Sequence, residues 1–177
     1  MHLELTRDAA KSMPDVPNAA GIESLSVWHC KYQTLEPLRA FYALRSLKIA
    51  TFPNETFEFL AGLSNLQWLS VVHLPKVSDL SSLASVSSLR FVELQTLPSW
   101  DSSNKRTVVR SLAPLLRLRN LEHVSLLGVV PEDRSLTPLE GCTGLKSARF
   151  HGYPPKEVER FFTASSVANA SMPPPGA

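Results

Sequence analysis

The chain has 177 residues, enough for one domain with a continuous core and short for two. With 44% of residues hydrophobic and 19% charged it is not a disordered chain, and no apolar run approaches the roughly 20 residues of a membrane span. A net charge of +2 is too small to imply a polyanionic partner. From the N-terminus, Glu4, Arg7, Asp8 and Lys11 interrupt the first twenty or so residues, so no secretory apolar segment fits there and the expected compartment is the cytoplasm. Cys30 and Cys142 suit that expectation, because disulfide-stapled secreted domains carry more cysteines.

A repeat governs the next 130 or so residues. Leu44, Leu47, Ile49 and Phe52 follow the spacing Φ-x-x-Φ-x-Φ-x-x-Φ, with Φ apolar. It recurs at Leu66, Leu69, Val71, Leu74, at Leu89, Val92, Leu94, Leu97, and at Leu121, Val124, Leu126, Val129. Weaker copies flank these at Ile22, Leu25, Val27, Cys30 and at Leu145, Ala148, Phe150, Tyr153. The copies start at 22, 44, 66, 89, 121 and 145, in steps of 22, 22, 23, 32 and 24. Leu3-Glu4-Leu5 lies 22 residues before Leu25-Ser26-Val27 and predicts a partial first copy, followed by an irregular return containing Pro14 and Pro17. Between copies the apolar residues step by three, as in Leu35, Leu38, Phe41 and in Leu112, Leu115, Leu118. That step suits 3₁₀ or irregular turns, in which side chains at i and i+3 eclipse. Each unit is therefore predicted as one strand and one tight return, stacked on its neighbours so that the leucines share one interior.

This pattern resembles the leucine-rich repeat family, and the segment 77–94 follows the short internalin-type repeat closely. The resemblance covers roughly residues 22–153. It implies an α/β fold: a right-handed solenoid with a parallel concave sheet of about six to seven strands, an irregular or 3₁₀ convex side and a C-terminal capping helix. Family repeats place Asn at the last strand position, whereas here those positions are Cys30, Phe52, Leu74, Leu97, Val129 and Tyr153. Proline follows instead at Pro53, Pro75, Pro98 and Pro154, and at Pro131. With its fixed φ and no N–H, it turns the chain out of a strand without the amide.

The 32-residue step hides about ten extra residues, assigned to a polar loop at 99–108 that contains Trp100. That ring either seals the coil edge or offers itself to a partner. After Pro154-Pro155, Val158, Phe161 and Phe162 fall on one face of a predicted capping helix over 155–164. The expected organisation is thus a single domain over 1–164, with a partial repeat at 1–21 and full repeats at 22–153. A disordered Pro-rich tail is expected at 165–177.

Strand alternation turns the residues between the leucines onto the concave face in three columns. One runs through Ser24, Ser46, Trp68, Phe91, His123 and Ser147; the central one through Ser26, Lys48, Ser70, Glu93, Ser125 and Arg149; the third through Trp28, Ala50, Val72, Gln95, Leu127 and His151. Aromatic and Arg anchors in a polar surround characterise interfaces. The candidate protein-binding residues are Trp28, Lys48, Trp68, Ser70, Phe91, Glu93, Trp100, His123, Leu127 and Arg149. No G-x-S-x-G nucleophile elbow or phosphate loop occurs, and Cys30 and Cys142 fall on opposite sides of the coil, so neither an enzyme nor a cofactor is expected. His29 and His73 stand two coils apart, about 10 Å at strand spacing, too far to share a metal. Lys105, Arg106, Arg110, Arg117 and Arg119 form a basic stretch that could meet a nucleic acid or an acidic partner, although no stacking aromatics interleave with it beyond Trp100. The expected function is a monomeric, non-catalytic module holding another protein through the concave face and the 99–108 loop. The repeat portion of a larger enzyme is the remaining alternative.

Overall fold

The computed structural model describes residues 1–97 and 105–176. Seven coils each contribute one five-residue strand to a single sheet: β1 His2–Thr6, β2 Ser24–Trp28, β3 Ser46–Ala50, β4 Trp68–Val72, β5 Phe91–Gln95, β7 His123–Leu127 and β9 Ser147–His151. The two-residue β10, Ala168–Asn169, ends the sheet, whose order is β1-β2-β3-β4-β5-β7-β9-β10 with every pair parallel. Register is set by the repeat itself: Leu3, Leu25, Leu47, Leu69, Val92, Val124 and Ala148 lie side by side. A one-residue slip would turn every leucine out of the interior, so the pairing is strongly specified.

The returns are tight for the reason the three-residue step gives. In the second coil the amides of Leu38, Phe41 and Leu44 donate in succession to the carbonyls of Leu35, Leu38 and Phe41, each at 3.0 Å. Short 3₁₀ helices occupy Glu36–Ala40, Glu58–Leu60, Ser81–Ser85 and Ala113–Arg117, and a single α turn, α1, occupies Thr137–Glu140. Leu38, Leu60, Leu83, Leu115 and Leu139 point from these turns into the interior and are at most 1% exposed. Each such leucine contributes roughly 1.5–3 kcal/mol by leaving water. Phe52, Phe57 and Phe59 fill the widest part of this core, with Phe52 and Phe57 stacked at 4.8 Å. At the C-terminal end, α2 (Pro155–Ala164) lays Phe161 over the last coil, edge-on to Phe150 at 5.1 Å. No described helix is long and apolar enough to cross a membrane.

One column of backbone geometry is absent from the sequence reading. After six of the seven strands the next residue takes the left-handed conformation: Arg7 (φ 53), His29 (φ 54), Thr51 (φ 70), His73 (φ 62), Gly128 (φ 76) and Gly152 (φ 91). Its amide still donates to the neighbouring coil, as from His29 to Ala50 O at 3.2 Å and from Gly128 to His151 O at 2.9 Å. Only Gly128 and Gly152 hinted at it, because glycine enters this region without the Cβ penalty the other four carry.

The extra residues emerge two positions earlier than expected. Leu97, assigned to the core by the repeat, is 38% exposed. Its slot is taken by Thr107, which stands opposite Val129 in a second, two-stranded parallel sheet formed by β6 (Thr107–Val109) and β8 (Val129–Pro131). From Leu97 to Thr107 is ten positions, so the excised segment is 97–106, and Val108, placed in the loop by the sequence, belongs to a strand. The junction is sealed by Thr96, whose hydroxyl meets Thr107 Oγ1 at 2.7 Å and donates to Gly128 O at 3.0 Å. Trp100 lies outside the described residues.

Candidate partner-binding face

The register brings the three predicted columns together on the concave side. Across the sheet the first runs His2, Ser24, Ser46, Trp68, Phe91, His123, Ser147; the central one runs Glu4, Ser26, Lys48, Ser70, Glu93, Ser125, Arg149. At the N-terminal end Trp28 is half-buried and Lys48 exposed, its Nζ 4.6 Å from the centroid of the Trp28 ring. This cation–π pair holds a large aromatic upright on an open surface. In the middle, Phe91 and Glu93 are half-buried, Arg90 lies 5.2 Å from the Phe91 ring, and the hydroxyl of Ser70 donates to Glu93 Oε1 at 2.8 Å. Leu127 is half-buried in the third column and Arg149 is exposed in the central one.

Three of the expected contact residues are not accessible. Trp68 is 9% exposed, Ser70 1% and His123 0%. Neither Trp68 nor His123 belongs to the leucine core. Trp68 is capped from the concave side by the C-terminal segment, for which the sequence predicts disorder. There β10 pairs with β9, the guanidinium of Arg149 donates to the hydroxyl of Ser171, and Nε1 of Trp68 donates to the carbonyl of Pro173 at 3.0 Å. Beneath this cover the His123 ring is held at both nitrogens, Nδ1 2.7 Å from Ser147 Oγ and Nε2 2.8 Å from Ser125 Oγ. Burial pushes its pKa down to about 4, so the ring is neutral at physiological pH. Ser125 and Ser147 stand beside His123 in the predicted columns, but nothing in a strand serine marks it as a hydrogen-bond partner.

The remaining candidates for chemistry are dispersed. Cys30 points inward, its Sγ 3.3 Å from Leu5 O, while Cys142 lies on the convex side, its thiol pushed up to about 11 by burial. His29 Nδ1 lies 3.1 Å from Thr51 Oγ1. Among the described residues no group of three or more His, Cys, Asp or Glu side chains is placed to hold a metal. A shallow depression of about 400 Å³ at the edge where the strands begin is lined by Arg90, Arg119, Glu122 and Lys146. Its acid is already engaged, since Arg90 and Lys146 each reach Glu122 at 2.7 Å and together hold that carboxyl below its ordinary range. The basic stretch does not form one patch. Arg106 lies beside Gly152 at the edge where strands end, Arg117 closes a convex 3₁₀ turn, and Arg119 lines the depression on the opposite edge.

No family model matches the sequence, and no curated protein matches it. Solved structures do. An internalin (inlF) of Listeria monocytogenes superposes with a TM-score of 0.52 at 17% identity, over 95% of this chain and 54% of its own length. Internalin C2 of the same organism gives a TM-score of 0.64 at 18% identity, over 94% of this chain and 68% of its own length. This chain thus spans about half of the first and two thirds of the second. Repeat spacing, parallel register and these superpositions agree on one architecture: the fold is the leucine-rich repeat solenoid, built from internalin-type coils.

Proposed function

We propose that the chain is a non-catalytic protein-binding module that presents its concave sheet to another protein. The observation that carries this reading is the set of large side chains that stand on the concave sheet outside the core: Trp28 with Lys48 over its ring, then Phe91, then Arg149. Aromatic and Arg side chains on a rigid face supply contact area at low entropic cost, and the alternation of Lys48, Glu93 and Arg149 along the central column sets charge register for a partner. We infer that the module acts as a monomer, and its two free cysteines suit a reducing compartment such as the cytoplasm. The nucleic-acid alternative has less behind it, since the cations at 105–119 spread over both edges and the convex side rather than tracking a backbone.

A photo-cross-linking side chain placed at Lys48 on the concave face, or at Arg117 on the convex turn, tests the reading in extracts of the source cells. The expected result is one discrete protein adduct from position 48 and none from position 117. An adduct from 117 alone, or one destroyed by nuclease, would overturn it.

A further inference from the structure

The concave face is not empty. After α2 the chain stacks β10 on β9, with the amides of Ala168 and Ala170 donating to Lys146 O at 2.9 Å and Ala148 O at 3.1 Å. It then leaves the sheet edge and turns back over the concave side. Arg149 on β9 holds the Ser171 hydroxyl, and Trp68 on β4 holds the Pro173 carbonyl. In the sheet order β4-β5-β7-β9 those two anchors bracket β5 and β7, so the intervening chain passes over Phe91 and His123. The burial pattern agrees: within residues 168–176 only Met172 and Pro173 are half-buried, the others being exposed, and His123 beneath them has no solvent contact.

The chemistry of this contact is generic to an extended chain. Both anchoring groups are donors, and both are met by acceptors, a hydroxyl and a main-chain carbonyl. Pro173 precedes Pro174, and a residue before proline is held extended, which fixes its carbonyl outward at little entropic cost. Between the two acceptors stands one flexible apolar residue, Met172, which is half-buried. Lining a sheet with an aromatic donor and a cation in this way is a means of recognising proline-rich extended segments.

Resting on the concave face as a docking surface, we propose that its half over β4, β5, β7 and β9 is a groove for an extended segment that carries a hydroxyl residue, an apolar residue and then two prolines. The tail segment Ser171-Met172-Pro173-Pro174 is its resident occupant, and a partner segment of the same chemistry binds by displacing it. Trp28 and Lys48 lie outside the covered half and remain open for first contact. A tail tethered a few residues away competes at an effective concentration on the order of millimolar. A free segment with a dissociation constant of about 100 µM would therefore bind the occupied groove about tenfold more weakly than the vacated one.

The test uses the full chain and a fluorescent peptide of residues 170–176, followed by polarisation. Met172→Asp places a charge over the apolar floor and releases the tail without touching the leucine core, of which Met172 is not part. The peptide is expected to bind M172D about tenfold more tightly than wild type. Trp68→Phe on the M172D background, which removes the indole N–H and keeps the ring, is expected to weaken that binding by about threefold to tenfold. Unchanged melting temperatures report that both variants fold. Equal peptide affinity for wild type and M172D, or no binding to a folded M172D, overturns the proposal. A wild-type dimer that M172D converts to monomer also overturns it, by assigning the tail to the groove of a second copy. If the peptide result is negative while the adduct from position 48 persists, the resident tail is wrong and the docking face stands; if that adduct is absent too, both are wrong.

Discussion

Acidification probes the buried histidine. His123 is fully buried between Ser125 and Ser147 and its pKa is pushed down to about 4, against about 6.5 for an exposed imidazole. Its hydrogen-bond partners are the neutral hydroxyls of Ser125 and Ser147, and Glu93 and Arg149, which flank Ser125 in the central column, are of opposite sign. The folded form therefore prefers the neutral ring, and any opened form takes up a proton first. Its contribution is complete above pH 6.5 and is lost as pH falls toward 4. At pH 4.5 the gap from 6.5 is about two pH units, close to 3 kcal/mol at about 1.4 kcal/mol per unit. Carboxylates add a smaller loss at the acidic end that wild type and variant share: Glu157 is held down to about 2 by Arg160, and Asp79 and Glu122 are also lowered, so their contributions begin to fall below about pH 5 and go mostly at more acidic pH. Urea unfolding of wild type and His123→Asn at pH 7, 6, 5 and 4.5 should show stability falling from about pH 6.5 in wild type, and a clearly shallower fall, confined to the most acidic points, in the variant. Two parallel curves, or an NMR titration placing His123 between pH 6 and 7, would refute the burial argument.

Leu94→Ala should cost about 2–5 kcal/mol in chemical denaturation, because Leu94 is fully buried between strands that cannot close the cavity. Gly128→Ala should cost about 1–3 kcal/mol, since φ there is +76° and an added Cβ would stand 3.1 Å from the Cβ of Thr96. Gly21→Ala, where nothing lies within 4 Å, serves as the neutral control in the same thermal melts. Iodoacetamide at pH 8 should modify Cys142 slowly in the native state and rapidly in urea, because burial pushes its thiol up to about 11.

Much of the fold was legible because two independent periodicities agree on it. The spacing of Leu44, Leu47, Ile49 and Phe52 fixes a strand, and the three-residue step through Leu35, Leu38 and Phe41 fixes the return that brings the next strand alongside. Register followed from the repeat, so the three concave columns were assigned correctly down to the neighbours of His123. Accessibility was not, because it depends on a distant segment. The prolines at 173–175 lack any local preference for helix or strand, and their order comes from Trp68 and Arg149, which lie about 105 and 22 residues away from the groups they hold. The insertion was displaced by two residues because Leu97 and Thr107 are equally plausible occupants of one slot. Only the pairing of Thr107 with Val129 decides between them.

The second parallel sheet also has a mechanical consequence. A stack of near-identical coils bends like a uniform spring, each joint taking an equal share of any deformation. Between the fourth and fifth copies, however, β6 and β8 add three further residue pairs along one edge of the spring, while Glu122 bridges Arg90 and Lys146 on the other. That joint is splinted on both sides, so a bound load is expected to flex it less than the coils that carry Trp28 and Lys48.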